Sequence, residues 1–256
     1  MATTEADPSI KNLELAGFAS WPAEHVHKDG TWLTRLSPQL PYKRTNSINC
    51  LRHSDGEDTA VRLEKALSVF RAANVQPTLR TTPLTPPELL AATSNAHWTE
   101  PFSESIVMTA QLAAGNGRQS SLNIQTLEEP VSEWIENFIG LTMDKTKDRT
   151  AITRTLNRIE KPVGFIRAVT EGVCAGVAVS VVQNDLVGLF GLAVSKAVRR
   201  QGLGRALSEC ALTWGATQGA KTAWLQVEAD NIPARTLYDS LGFAERYRYA
   251  YRSLRA

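Results

Sequence analysis

The sequence predicts an α/β fold built on a mixed sheet, and two observations in its second half carry this prediction. Three β-rich runs follow one another between residues 162 and 194, and short turn sequences separate them. A helical pattern beginning at Leu203 and a further strand pattern at residues 221–230 come directly after them. Two strands joined by one helix must run parallel, so an antiparallel meander passes into a parallel pair.

Composition is that of an ordinary globular protein. The 256 residues are 43% hydrophobic and 21% charged, which suits one large domain or two modest ones. The formal net charge of +2 gives no electrostatic case for nucleic-acid or membrane partners. We see neither a membrane-length apolar run nor a secretory signal pattern. Cys50, Cys174 and Cys210 are widely spaced and outside any C-x-x-C pair, so we expect free thiols and a cytoplasmic protein.

The first half predicts alternating helices and strands. The patterns favour helices near residues 9–21, 58–73 and 86–96, and strands at 31–37, 45–51, 77–82 and 103–112. The helix at 58–73 is the clearest, with Asp58 at the position of an N-cap. The small, polar stretch 113–121 contains two glycines and predicts a linker. We therefore expect two domains, at residues 1–115 and 121–256.

The second half predicts its elements in a definite order. A strand at 121–128 and helices at 130–143 and 148–160 precede the three β-rich runs, whose turns are Glu171-Gly172 and Asn184-Asp185. The next helix has an apolar stripe from Leu203 to Trp214. A strand at 221–230, a helix at 232–243 and a strand at 244–254 complete the chain. Tyrosine and arginine alternate in that last strand, which predicts one packed aromatic face and one solvated basic face.

The stretch AVRRQGLGRAL, residues 197–207, lies where a strand ends and a helix begins. A helix N-terminus has unpaired N–H groups and a positive dipole end, and glycines let a ligand approach the backbone. Arg199, Arg200 and Arg205 add positive charge, and no acid occurs before Glu209. The stretch therefore predicts a diphosphate site. It lacks the Lys-Ser/Thr end of a P-loop and the third glycine of the dinucleotide-binding fingerprint.

Two motifs in this region resemble those of the GNAT superfamily of N-acetyltransferases. RRQGLG, residues 199–204, matches the coenzyme A pyrophosphate motif [QR]-x-x-G-x-[GA], and Lys196 replaces the family's usual proline upstream. WLQVEADNIPARTLYDSLGF resembles the second signature, with these residues in register: Asn231, Ala234, Leu237, Tyr238, Gly242 and Phe243. The resemblance covers residues 121–256.

The resemblance implies a GNAT acyl-CoA N-acyltransferase fold in the C-terminal half, where two central parallel strands splay apart and acetyl-CoA binds in the gap. Acetyl-CoA is then the cosubstrate, and we expect no metal. The residues implied to contact the pantetheine and thioester through backbone groups are Leu192, Ala193 and Val194. Those implied to hold the pyrophosphate are Arg199, Arg200, Gln201, Gly202, Leu203, Gly204 and Arg205. Those implied to line the pantetheine and sulfur end are Asn231, Ala234 and Tyr238.

Acetyl transfer to a primary amine by direct attack in a ternary complex needs a donor for the oxyanion, an acid and a base. An N–H near Val194 would stabilise the oxyanion. Tyr238 resembles the family's general acid for the leaving thiolate, and its alternative role is packing, at i+4 from Ala234. The amine must be neutral, although its pKa is about 8 for an α-amine and about 10.4 for a lysine.

The general base is less defined. In the ribosomal-protein alanine acetyltransferases a glutamate lies twelve residues before the tyrosine, and here Gln226 occupies that position. Glu228 lies two residues on, hence on the same strand face, and could act directly or through water. An equal alternative is a structural Glu228. Gln226 counts against a ribosomal-protein substrate and leaves a second hypothesis open, a non-catalytic acyl-CoA sensor or interaction module.

The N-terminal half is an α/β unit that loosely resembles the degenerate leading half of two-part GNAT proteins, at WLTRLS (residues 32–37) and KRTNSI (residues 43–48). It has no [QR]-x-x-G-x-[GA] motif, so we expect no competent CoA site there. Its role would be substrate selection or covering a sheet edge. His25 and His27 lack a clear third ligand, so we assign them no metal. The acceptor, a small molecule or a protein amine, and a homodimer stay open.

Overall fold

The computed structural model describes residues 8–112, 122–142 and 148–255. The chain forms two compact units. Unit 1 comprises residues 1–107, 228–230 and 246–256, and unit 2 comprises residues 108–227 and 231–245. The predicted linker at 113–121 lies outside the described residues, so the domain boundaries at 115 and 121 stay a prediction. No helix within the described ranges is both long enough and apolar enough to cross a membrane.

The helices and strands follow the sequence patterns closely. In chain order the helices are α1 (Pro8–Ser20), α2 (Thr59–Ala72), α3 (Pro87–Ala92), α4 (Ser132–Thr142), α5 (Arg149–Asn157), α6 (Leu203–Thr217) and α7 (Ile232–Asp239). The strands are β1 (His25–Asp29), β2 (Trp32–Leu36), β3 (Ser47–Cys50), β4 (Thr78–Thr81), β5 (Phe102–Gln111), β6 (Asn123–Leu127), β7 (Val163–Thr170), β8 (Val173–Gln183), β9 (Leu186–Val194), β10 (Thr222–Glu228) and β11 (Ala244–Ser253). The mixed α/β class is confirmed, and β1 is an element that the sequence did not predict.

Unit 1 contains a sheet with the strand order β1-β2-β3-β4-β11-β5, to which β5 contributes residues 102–107. The first three strands form an antiparallel meander, and β3 pairs in parallel with β4 through Ile48 and Leu79. Helix α2 connects that parallel pair. Its buried residues fall at i, i+3, i+4 and i+7, as a single apolar stripe: Leu63, Ala66, Leu67 and Phe70. Val61, which the sequence pattern placed with them, is exposed.

The start of α2 differs from the prediction in one detail. Asp58 does occupy the N-cap position, but its backbone φ is 52° and its side chain makes no capping hydrogen bond. A capping side chain needs a residue in the β region, so that its oxygen can turn back to the N–H groups of the first turn. The left-handed backbone of Asp58 removes that geometry.

Strand β11 packs in unit 1 with the predicted alternation. Tyr247, Tyr249 and Tyr251 are buried, and β11 pairs with β4 in antiparallel fashion through residues 250–253. The Tyr247 hydroxyl donates to Glu14 Oε1 at 2.6 Å. Arg80 donates to both carboxylate oxygens of Glu14, at 3.0 and 2.7 Å. This buried group links α1, β4 and β11 within unit 1.

Unit 2 contains a sheet with the strand order β5-β10-β9-β8-β7-β6, to which β5 contributes residues 108–111. Strands β6 to β9 are antiparallel neighbours, and β9 pairs in parallel with β10. Glu171 and Gly172 both have positive φ, at 52° and 77°, as a type I′ hairpin turn requires. The predicted meander and parallel pair are confirmed. Unit 1 has the same succession of meander, crossover helix and parallel strand.

Helix α6 joins β9 to β10, and its buried face is rotated slightly from the predicted stripe. Leu203, Leu207 and Ala211 are buried as expected, whereas Ala206, Cys210 and Trp214 are only partly buried. Ser208 and Gly215 complete the buried face instead. Gly215 lies so close to Val187 of β9 that an added Cβ would be 2.5 Å from its Cγ2 atom. A close approach of the helix to the sheet therefore runs through a glycine, which an apolar pattern does not include.

Candidate active site

Strands β9 and β10 pair over only part of their length. The parallel register runs from Leu186 with Thr222 to Leu189 with Leu225, and within the described residues it ends there. The register of β9 with β8 shifts in the same region, between Val177 and Val179, as a β-bulge. The remaining residues of β9, 190–194, therefore have an edge without β10 beside it. This is the splay that the sequence resemblance implies.

Gly191 makes the bulge possible for two reasons. Its φ is 56°, a left-handed conformation that glycine adopts without strain. An added Cβ would also lie 2.5 Å from Cε2 of Phe138, a buried side chain of α4. Gly191 was not among the site residues predicted from the sequence, although an isolated glycine within a strand pattern is a signal for a bulge.

The backbone N–H of Val194 points away from β8. Val194 lies opposite Gly176, and the next residue, Ser195, donates its N–H to Ala175 O at 2.9 Å. Opposed residues of an antiparallel pair alternate between hydrogen-bonded and non-hydrogen-bonded positions. Val194 is therefore at a non-hydrogen-bonded position, and its N–H faces the edge that β10 has left. Its carbonyl accepts from Arg199 Nε at 3.2 Å on that same edge.

The turn after β9 leads directly into the N-terminus of α6. A short 3-10 turn at Lys196–Val198 comes first, and Arg200 and Gly202 then have positive φ values of 64° and 81°. Gly202 is the N-cap, and no side chain caps the helix. The first helical bond runs from Ala206 N to Gly202 O at 3.0 Å. The N–H groups of residues 203–205 therefore have no acceptor within the helix, which is the arrangement of an anion site.

Side chains around this turn differ in how available they are to a ligand. Arg199, Arg200 and Gln201 are exposed, so they are available to a ligand at the helix N-terminus. Leu203 is buried in the core of unit 2, which leaves only its backbone for a ligand. The guanidinium of Arg205 already contacts Glu209 Oε1 at 3.2 Å and Ser240 Oγ at 2.6 Å. Leu192 and Ala193, in the unpaired end of β9, are partly exposed.

Tyr238 is a buried residue of α7. Its ring meets that of Phe243 edge-on, with ring centroids 5.9 Å apart. Burial raises the pKa of Tyr238 to about 12, so the hydroxyl holds its proton at neutral pH. The packing role and the acid role of this side chain are therefore compatible. Asn231 is the N-cap of the same helix, where its Oδ1 accepts from Ala234 N at 3.2 Å.

The remaining candidates lie at the end of β10 and on β1. Gln226 is partly buried in β10, whereas Glu228 is its exposed last residue and belongs to the segment 228–230 of unit 1. The role of base expected for Glu228 stays a prediction. His25 and His27 are exposed on one face of β1. Across the described residues, no three His, Cys, Asp or Glu side chains are grouped as metal ligands would be.

Comparison with known proteins gives one family and several relatives. The family described as "Probable histone acetyltransferase Rv0428c C-terminal" matches residues 7–252. The "Uncharacterized N-acetyltransferase YobR" of Bacillus subtilis (strain 168) is 24% identical over 246 residues, which are 95% of this chain and 98% of that protein. The ribosomal protein bS18-alanine N-acetyltransferase of Escherichia coli (strain K12) is 40% identical over 89 residues, or 35% of this chain and 60% of that protein.

A solved structure extends the similarity over both units. The GCN5-related N-acetyltransferase from Kribbella flavida superposes with a TM-score of 0.71. The two proteins are 17% identical, and the match covers 99% of this chain and 97% of that one. At this identity the comparison concerns the fold alone.

Proposed function

The chain belongs to the GNAT superfamily, in the family of the Rv0428c acetyltransferase C-terminal domain, and from this premise we propose that it transfers the acetyl group of acetyl-CoA to a primary amine. Its family and relatives indicate N-acetyltransferase activity of the GNAT type. The observation that carries the finer proposal is the Val194 N–H, which faces the unpaired edge of β9 next to an uncapped helix N-terminus.

The turn at residues 199–205 fits a pyrophosphate. Two exposed arginines, Arg199 and Arg200, flank N–H groups that have no helical acceptor. No side chain fills the space beside Gly202, where an added Cβ would meet nothing within 4 Å. A diphosphate would bind through these N–H groups, with the helix dipole and the arginines adding electrostatic attraction. The pantetheine would then extend along residues 192–194, beside Asn231 and Ala234.

Val194 would stabilise the charge that develops when the amine attacks the thioester. A backbone N–H fixed by the β9 bulge is preorganised, so it costs no reorganisation as the oxyanion forms. The bulge depends on Gly191, and the direction of the N–H depends on the bond from Ser195 to Ala175. This backbone donor therefore has the rigidity that electrostatic stabilisation needs.

Tyr238 would donate a proton to the sulfur of the leaving coenzyme A. With a pKa of about 12 the phenol is protonated at neutral pH, which is the state that a general acid needs. The amine loses its own proton to a base, for which Glu228 remains our candidate because it is an exposed carboxylate. The reaction is a direct attack in a ternary complex, with no covalent enzyme intermediate.

The acceptor class remains a choice between a small-molecule amine and a protein amine. One relative, which matches only 89 residues of this chain, is named as an N-acetyltransferase for the alanine of ribosomal protein bS18. Because of that name, an alanine-initiated peptide is a reasonable first probe. Gln226, where those enzymes have a glutamate, favours the second candidate function, a non-catalytic acyl-CoA sensor.

Two measurements on the full chain test the proposal. Acetyl-CoA at a hundred times its Kd should stabilise the protein by about 2.7 kcal/mol in a thermal-shift assay. Release of the coenzyme A thiol should then require an amine, tested with an alanine-initiated peptide, a lysine peptide and a polyamine. Stabilisation without thiol release would support the sensor, and no stabilisation at millimolar acetyl-CoA would exclude both functions.

A further inference from the structure

Three segments with proposed roles meet at one packed junction in unit 2. Gly204, in the first turn of α6, has no side chain toward α7. A Cβ added there would lie 3.6 Å from Leu237 Cδ2 and 3.9 Å from Val194 Cγ2. The backbone of the pyrophosphate turn, the end of β9 and the inner face of α7 are therefore within van der Waals reach of one another.

A polar link runs across the same junction. The Arg205 guanidinium donates to Ser240 Oγ at 2.6 Å and approaches Ser240 O at 3.4 Å. The Ser240 hydroxyl in turn donates to Leu237 O at 2.6 Å. Glu209, one helical turn further along α6, accepts from Arg205 at 3.2 Å and orients the guanidinium. Arg205 is thus bonded to the C-terminal end of α7.

Backbone hydrogen bonds link Tyr238 to the residues that follow α7. The Tyr238 carbonyl accepts from the N–H groups of Leu241 and Phe243, both at 3.0 Å. Ser240 lies between Tyr238 and Leu241 in the sequence and donates its own N–H to Thr236 O at 3.2 Å. A displacement of Ser240 must therefore move the Tyr238 backbone as well.

We propose that Arg205 is a positioning residue: acting through Ser240, it fixes α7 against the pyrophosphate turn and so holds the Tyr238 hydroxyl at the leaving sulfur. This inference rests on the proposed function. A proton donor works only within hydrogen-bond reach, and a small misplacement is costly to the rate. Because Ser240 lies beyond the turn, loss of the link should lower kcat without weakening acetyl-CoA binding.

The test uses a pair of hydroxyl deletions on α7. Ser240→Ala removes the acceptor of Arg205. Thr236→Ala is the matched control, because among the described residues the exposed Thr236 hydroxyl bonds only to Ile232 O in its own helix. With the best of the three amine probes, we expect Ser240→Ala to lower kcat about three- to tenfold with the Kd of acetyl-CoA within about twofold of wild type. Thr236→Ala should change neither.

Double-mutant cycles separate positioning from a general structural effect. In a Tyr238→Phe background, and again in an Arg205→Ala background, Ser240→Ala should cause no further loss of kcat. The inference is overturned if the losses of kcat simply add in either background. It is also overturned if Ser240→Ala and Thr236→Ala have the same kcat in an active enzyme. If the wild-type chain neither binds acetyl-CoA nor acetylates any probe, the proposed function is refuted, and so is the inference that rests on it.

Discussion

Replacing Gly215 with alanine tests how closely α6 packs on the sheet that carries the phosphate turn. The new Cβ would lie 2.5 Å from Cγ2, 2.7 Å from Cβ and 2.9 Å from Cγ1 of Val187. Val187 is fully buried in β9, and a β-branched side chain has little rotamer freedom with which to move aside. Helix α6 would have to shift away from the strand.

The magnitude follows from two opposing effects. Alanine is favoured over glycine inside a helix by about 1 kcal/mol. Overpacking a buried site costs about 1–3 kcal/mol, and three overlaps with one rigid side chain place this site at the upper end. We therefore expect the free energy of unfolding to fall by about 2 kcal/mol. Gly140 of α4 is the matched control, because it is exposed and a Cβ there would meet nothing within 4 Å.

Urea unfolding of the full chain, followed by far-UV circular dichroism, measures both variants. Gly140→Ala should gain about 1 kcal/mol from helix propensity alone. Gly215→Ala should lose stability and also bind acetyl-CoA more weakly, since the same helix begins at the phosphate turn. Equal stability gains in the two variants would refute the close packing of α6 on β9.

Three further predictions concern individual side chains. Tyr238→Phe should lower kcat more than about tenfold with little change in the acetyl-CoA Kd, and an unchanged kcat would remove Tyr238 as the acid. Because its pKa is raised to about 12, the phenol is protonated below that pH, and the alkaline loss of kcat due to its ionisation should lie near pH 12 rather than pH 10. Glu14→Gln should lower the free energy of unfolding in urea by about 3–5 kcal/mol, because it leaves Arg80 buried without its carboxylate. Glu104→Gln breaks an exposed pair with Arg248 and should lower it by under about 1 kcal/mol. Similar losses in the two variants would contradict the value for Glu14→Gln.

The elements nearest the candidate site were the most predictable from sequence. Strand alternation, turn residues and the apolar period of α6 depend on neighbours within a few residues, and they defined the meander and the parallel pair. The start of α6 could be predicted as well, because its N-cap, which has a positive φ, is Gly202. The positive φ of Arg200 in the same turn has no comparable signal in the sequence. Local patterns of this kind can be recognised in the sequence without knowledge of any tertiary contact.

What the sequence did not predict depends on partners far apart in the chain. Alternation in β11 predicted its aromatic face but not its pairing with β4. That placement depends on Glu14, which lies 66 residues from Arg80 and 233 residues from Tyr247. No local period encodes such a contact. The rotation of the α6 stripe has the same origin, because it is set by the approach of Gly215 to Val187.

The link from Arg205 to Ser240 illustrates the same limit within the site. Arg205 was predicted to contribute backbone and charge to the pyrophosphate turn, because the sequence places it in the motif. Its side chain also reaches a residue 35 positions away, at the end of α7. Only the packing of α6 against α7 shows that Ser240 is a partner of Arg205.

Calorimetric titration of the full chain with acetyl-CoA tests the central claim most directly, that residues 199–205 hold the pyrophosphate of the acetyl donor. The wild-type chain should bind one equivalent, and Arg200→Glu should weaken the Kd by about tenfold or more because it places a negative charge at the phosphates. Lys221→Glu, an equal charge change on an exposed residue before β10, should leave the Kd within about twofold. Equal affinities for wild type and Arg200→Glu, or no binding at millimolar acetyl-CoA, would contradict the account.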